Sequence, residues 1–283
     1  MYRPTSFSQI PEIVKNLLII NGLFFLAKMT LPIDMDKLFA LHPFQSPNFE
    51  PYQIITHMFM HGNFPHLLSN MFALWMFGRI LENVWGAKRF LIYYIITALG
   101  AAIIYSLFIQ YQIYGIANEF PDFLEAAKDG KVSGAMTREG FIPYIESSNL
   151  FQLVNTPMVG ASGAVFGLLL AFGMLFPNTR LHLFTSFLIL ISFEIIFSIS
   201  LPIFNIFILL FILSRINPNL NHYIWHTIPI QAKYFVIAYG LIELYLGFIS
   251  TPDDNIAHFA HLGGMLFGFI LLKYWQKNNT QFY

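Results

Sequence analysis

Six stretches of this chain, near residues 14–29, 65–84, 89–114, 159–176, 233–250 and 256–274, approach or exceed the roughly 20 apolar residues that a helix needs to cross a bilayer core. A chain built this way has few options. In lipid, backbone N–H and C=O groups find partners only inside a helix or a closed barrel. Composition agrees: of 283 residues 56% are hydrophobic and 11% charged, against about 25% charged in soluble domains. These features predict an all-α membrane protein, a six-helix bundle forming one polytopic domain over 1–283, with the lipid bilayer as its solvent. They exclude a disordered chain and an ordinary cytosolic enzyme. The formal net charge is zero, so no basic excess exists to bind a polyanion and no nucleic-acid partner is expected. Cysteine is absent, which removes disulfides, thiolate nucleophiles and zinc–thiolate cages. The first apolar run lacks a small-residue cleavage site after it, so it reads as a retained span.

Six spans put both termini on one side. Arg3, Lys15, Arg79, Lys88, Arg89, Arg180, Arg215, Lys233, Lys273 and Lys277 fall on that side, and Lys28, Lys37, Lys128, Lys131 and Arg138 on the other. The bias of basic residues predicts cytoplasmic termini. Two segments are longer than the connections require: a polar loop at 115–158, read as solvated, and an extra apolar insertion at 183–213 between the fourth and fifth spans. As one helix the insertion would be about 46 Å long, too long for an untilted span and too short for two. Pro202 interrupts it, after Ser198 and Ser200, and Glu194 inside it should face protein or headgroups. A hairpin entering from the cytoplasmic side is expected there; a single kinked span, which would invert everything after it, is the alternative.

Polar residues within spans are expensive and so informative. They gather at the outer ends of three helices. The first cluster holds His57, His61, His66 and Asn70; Pro65 suits a first turn and Asn63 a cap, which puts His66 and Asn70 on one face at i and i+4. The second, Gly160-Ala161-Ser162-Gly163, sets a serine near a helix N-terminus, where free N–H groups and the helix dipole favour a developing anion. Alone, such small residues are more often a packing surface. The third runs from His258 to Gly268, with His261, Gly264 and Gly268 on one stripe. Together the three supply a nucleophile, a base and oxyanion donors at similar depth.

In these residues the chain resembles the rhomboid family of intramembrane serine proteases. The similarity rests on His61-x4-His66-x3-Asn70, Gly160-Ala-Ser162-Gly163 and Ala260-His261-x2-Gly264-x3-Gly268, and covers about 45–275. It implies Ser162 as nucleophile and His261 as general base, a dyad with no third carboxylate. It further implies an oxyanion held by the Ser162 N–H, His66 and Asn70. Gly160 would permit the tight approach of the chain to the oxyanion, and Gly264 the close contact of the fourth and sixth spans. His61, Gly163 and Gly268 are structural neighbours of the site, and His57 reads as structural too. His258 shares a face with His261 but stands at the wrong spacing from the glycines. The fifth span, rich in Tyr and Phe with Glu243 as its one acid, resembles the family's lateral gate. Two departures stand out: Tyr52-Gln53 where the family often carries Trp-Arg, and Ile256 where a glycine is usual.

The implied function is an endopeptidase that cleaves transmembrane protein substrates near the outer membrane face, through an acyl-enzyme and without a cofactor. A bacterial plasma or inner membrane is the expected location. One rival is a relative that binds transmembrane segments without cutting them, although Ser162 and His261 are intact. Another is a metal enzyme using His57, His61, His66, His258 and His261, which lacks an accompanying acid and leaves the Gly-Ala-Ser-Gly segment unexplained.

Overall fold

The structure, a computed structural model, describes residues 10–138, 140–184, 227–249 and 258–278. The insertion from 185 to 213, with Glu194 and Pro202, and the departure at Ile256 lie outside the described residues. Helix α1 (Glu12–Thr30) is the first apolar stretch. A compact loop follows, with short helices α2 (Met35–Phe39) and α3 (Gln53–Thr56). The second stretch is α4 (Phe64–Ala73), a π-helical segment Leu74–Gly78 and α5 (Arg79–Trp85), running on without interruption. Gly86 alone separates it from α6 (Ala87–Glu119). Among the described residues, α1, α6 and the later helix Ala232–Ile249 are long and apolar enough to cross a membrane.

The start of α4 obeys its sequence signals. Asn63 Oδ1 accepts the His66 N–H at 2.8 Å, with Pro65 in the first turn of α4. The α1 terminus has a less local solution. Its Ile13 and Val14 N–H groups donate to Glu82 at 2.9 and 2.8 Å, so a buried carboxylate of α5 meets the positive end of α1. At the other end of α1, Lys28 Nζ bonds Asp36 at 2.9 Å and the His61 carbonyl at 3.0 Å.

The loop between α1 and α4 is organised around Gln53, which is fully buried. Its amide donates to the carbonyls of Lys37, Leu38 and Asn48, and its oxygen accepts the N–H groups of His42 and Glu50. The residue that departs from the family's usual pair is therefore the loop's anchor.

The segment 115–158 is folded rather than a plain loop, although most of its residues are at least partly exposed. Helix α6 has 33 residues, about 50 Å of helix against hydrocarbon roughly 30 Å thick. Its last turns present Ile109, Ile113 and Ile116 to α7 (Pro121–Lys128) and α8 (Ile145–Asn155), closing a small core with Ala127, Leu150, Leu153 and Val154. Between these helices strands β1 (Gly134–Thr137) and β2 (Gly140–Pro143) pair antiparallel. The chain is thus mostly helical rather than wholly so.

Next come α9 (Ser162–Leu175), strands β3 (Arg180–Phe184) and β4 (Thr227–Gln231), α10 (Ala232–Ile249) and α11 (His258–Asn278). The chain divides into two compact units, residues 1–172 with 239–283, and 173–238. In the second unit β3 and β4 are antiparallel partners, Arg180 opposite Gln231 and Phe184 opposite Thr227. The chain therefore leaves for 185 and returns from 226 at one place. In the first unit α11 lies along α6 and α9 through small residues. A Cβ at Gly264 would overlap the Gly163 carbonyl, one at Gly163 the Ala101 methyl, and one at Gly268 the Tyr93 hydroxyl. Helices in lipid associate by such close van der Waals fit, since lipid tails are as apolar as the side chains.

Candidate active site

Ser162 is the first residue of α9. The strand-like segment ahead of it is tied down twice. Met158 and Leu41 exchange backbone hydrogen bonds at 2.9 and 2.8 Å, and the Gly160 N–H donates to the His57 carbonyl at 3.0 Å. Gly160 has φ of 124°, a conformation that side chains other than glycine's rarely adopt. A Cβ there would also lie 2.9 Å from His66 Nε2 and 3.5 Å from Ser162 Oγ. The missing side chain is what lets the His66 ring edge lie beside the serine. A cavity of about 10 Å³, room for one water, opens beside Ser162 between His57, Ala98, Ala101, Met158 and Ala260.

His261 sits at the start of α11, 99 residues along the chain, with Nε2 2.9 Å from Ser162 Oγ. Two further groups fix its ring. Phe166, one turn after Ser162, lies flat on the imidazole, centroids 4.1 Å apart and planes 7° apart. Glu243 Oε2, from α10, lies 2.8 Å from Nδ1. A carboxylate oxygen accepts, so Nδ1 carries the hydrogen and Nε2 keeps a lone pair for the serine hydroxyl. The same Oε2 accepts from His258 Nδ1 at 2.8 Å. Glu243 is 6% exposed, and these charge-assisted bonds are what make a carboxylate tolerable in an apolar helix.

The structure therefore departs from the expected pair of side chains without a carboxylate. It also corrects the statement that no acid accompanies the histidines: Glu243, His258 and His261 each offer a ligand atom, all within 4.8 Å of one another. Among the described residues these are the ones able to hold a metal, and shared protons account equally for their spacing. Sequence reasoning missed the roles of Glu243 and Phe166 at this site. Phe166 had a signal in its i+4 spacing from Ser162. Glu243 had one in being the lone acid of its span.

The remaining expected residues are distributed as follows. Asn70 is buried on the face of α4 that carries His66, and its Nδ2 donates to the His66 carbonyl at 3.0 Å, leaving a second amide hydrogen. His61 is fully buried in the loop, its ring 5.1 Å from that of His66. Burial, with the charges of His66 and Lys28, holds its pKa down to about 3. His57 donates from Nδ1 to the Gln53 carbonyl at 3.1 Å, and burial draws its pKa to about 4. Both are neutral struts. Gly163, Gly264 and Gly268 form the α9–α11–α6 contact described above.

A family model of the Rhomboid domain matches residues 48–121 and 135–208, together just over half of the chain. These ranges contain His61, His66, Asn70, Gly160 and Ser162; His261 follows them. The chain is similar to rhomboid protein 1, mitochondrial, of Saccharomyces cerevisiae, with 31% identity over 131 residues, 46% of this chain and 27% of that protein. It is 33% identical over 90 residues to rhomboid-like protein 11, chloroplastic, of Arabidopsis thaliana, 30% of this chain and 32% of that one. With the mitochondrial rhomboid-like protein 12 of the same plant it shares 29% over 132 residues, 47% of this chain and 32% of the relative. The chain thus spans about a third or less of the length of these relatives, which are named for organelles rather than for a bacterial membrane.

Proposed function

Because this chain belongs to the rhomboid family, we propose that it is an intramembrane serine endopeptidase that cleaves transmembrane protein substrates near the outer face of its membrane. The observation that carries the proposal is the 2.9 Å approach of Ser162 Oγ to His261 Nε2 at a helix N-terminus. His261 takes the hydroxyl proton as Oγ attacks the scissile carbonyl carbon. The resulting oxyanion is received by the Ser162 N–H and the side chains of His66 and Asn70. His261 then protonates the leaving amine, an acyl-enzyme remains, and water activated by His261 releases the acid. A regular substrate helix shields its own peptide bonds, so the helix must unwind locally to reach Ser162.

The proposal includes six membrane crossings, with α4 to α5, α9 and α11 added to the three long apolar helices, and both termini on the side richer in Lys and Arg. It includes no cofactor and no nucleic-acid partner. The test is cleavage of a transmembrane reporter in liposomes together with labelling by a fluorophosphonate. Ser162→Ala and His261→Ala should each abolish cleavage in a folded protein, and Ser162→Ala should abolish labelling. Full activity in either variant refutes the reading.

The Glu243–His258–His261 cluster favours a second reading, a metal centre. Stoichiometric metal in the purified protein, with activity lost to a chelator and kept in Ser162→Ala, would establish it instead.

A further inference from the structure

We propose that Glu243 is a positioning residue for the base, so that Ser162, His261 and Glu243 act as one hydrogen-bonded line. This rests on the serine-protease reading above. The geometry is specific. One carboxylate oxygen, 2.8 Å from His261 Nδ1, stands on the side of the ring opposite the nitrogen that meets Ser162 at 2.9 Å. His258, one turn earlier on α11, holds the same oxygen at 2.8 Å. The direction of the carboxylate is therefore set by a second donor and does not depend on His261 alone.

Three consequences follow for the proton. With Nδ1–H donated to Oε2, the only ring lone pair is on Nε2, and the Ser162 hydroxyl donates into it. When Oγ bonds the substrate carbon, its proton moves to Nε2 and the ring becomes an imidazolium. Its charge then lies between Oε2 on one side and the Phe166 π-face above, both of which favour a cation over a neutral ring. No proton passes to Glu243. The proton on Nε2 leaves with the amine when the carbon–nitrogen bond breaks, and the neutral Nδ1–H form is restored. The groups facing His261 are Ser162 and Phe166 from α9, Glu243 from α10 and His258 from its own helix, with His66 of α4 within electrostatic reach. Glu243 is the one carboxylate in this set.

The competing view makes Glu243 a tie between helices and nothing more. The experiment separates them with the full-length protein in liposomes, comparing Glu243→Gln, Glu243→Asp and wild type. Gln keeps the shape and an acceptor oxygen but removes the charge. It should lower kcat on a transmembrane reporter by at least about 10-fold and by up to about 10⁴-fold, the loss seen when an amide replaces the acid behind a serine protease histidine, with KM and the thermal midpoint little changed. Asp, which keeps the charge on a shorter stem, should recover part of the loss. Histidine ring-nitrogen NMR of the wild type should show His261 protonated at Nδ1, and the Gln variant should show a mixed tautomer. Wild-type kcat in Glu243→Gln, or a loss of kcat matched by loss of folded protein, would overturn the proposal. So would a stoichiometric divalent ion, which would take the Nδ1 lone pairs. If the wild type neither cleaves nor labels at Ser162, the protease reading fails and takes this role with it. If the wild type does both and Glu243→Gln equals it, only the role of Glu243 falls.

Discussion

A methyl group at Gly264 would occupy the space of the Gly163 carbonyl, one residue from Ser162. Relief requires α11 to move away from α9, and His261 rides on α11. Gly264→Ala should therefore retain its helical circular dichroism yet lose activity, on the order of 100-fold for a displacement near 1 Å. The residues proposed to receive the oxyanion should behave differently, because each would be one of several donors. His66→Ala or Asn70→Ala should slow reporter cleavage by about 100–1,000-fold in kcat, the usual effect of deleting one such donor, without abolishing Ser162 labelling. The buried loop histidines act on stability. His57 and His61 have folded pKa values of about 4 and about 3, below the ordinary 6.5, so the unfolded chain binds more protons in that window. Stability is full above pH 6.5 and falls as the pH drops toward those values. The thermal midpoint in detergent should decline on acidification through this range, and a flat profile would contradict the burial of both rings.

At the level of elements, the helices were legible wherever apolar length alone decides, and the three polar motifs were legible because polar residues are conspicuous within apolar helices. Asn63 and Pro65 announced the start of α4 by local chemistry. What the sequence hid was partnership at a distance. Nothing in the neighbourhood of Glu82 says that it caps α1, and removing it leaves the buried Val14 N–H and the half-buried Ile13 N–H without this partner. Glu82→Ala should destabilise the protein by about 1–2 kcal/mol, read as a lower unfolding midpoint with α1 more open to proteolysis. Helix α8 was hidden for another reason. Leu150, Leu153 and Val154 have helical spacing, but the polar residues around them in 115–158 lowered the mean hydropathy. Their partner Ile113 belongs to a helix longer than a bilayer's hydrocarbon is thick. Glu243 was visible as a lone acid, and only its distance to two histidines revealed what it holds.

For the molecule as a whole, the absence of cysteine is an experimental convenience, because single cysteines can be placed without background. Arg180 and Gln231 are paired across β3 and β4. Arg180→Cys and Gln231→Cys should therefore react with a membrane-impermeant maleimide from the same face of sealed vesicles. Labelling from opposite faces would refute the pairing. The strand pair has a topological consequence as well. Where a detour starts and finishes at neighbouring residues, its length can drift without reversing the sense in which the chain resumes. The stretch from 185 to 226 is in that respect a cassette: replaced by a two-residue turn, it should still deliver α10 to the same starting point, with Glu243 and His261 following in unchanged order.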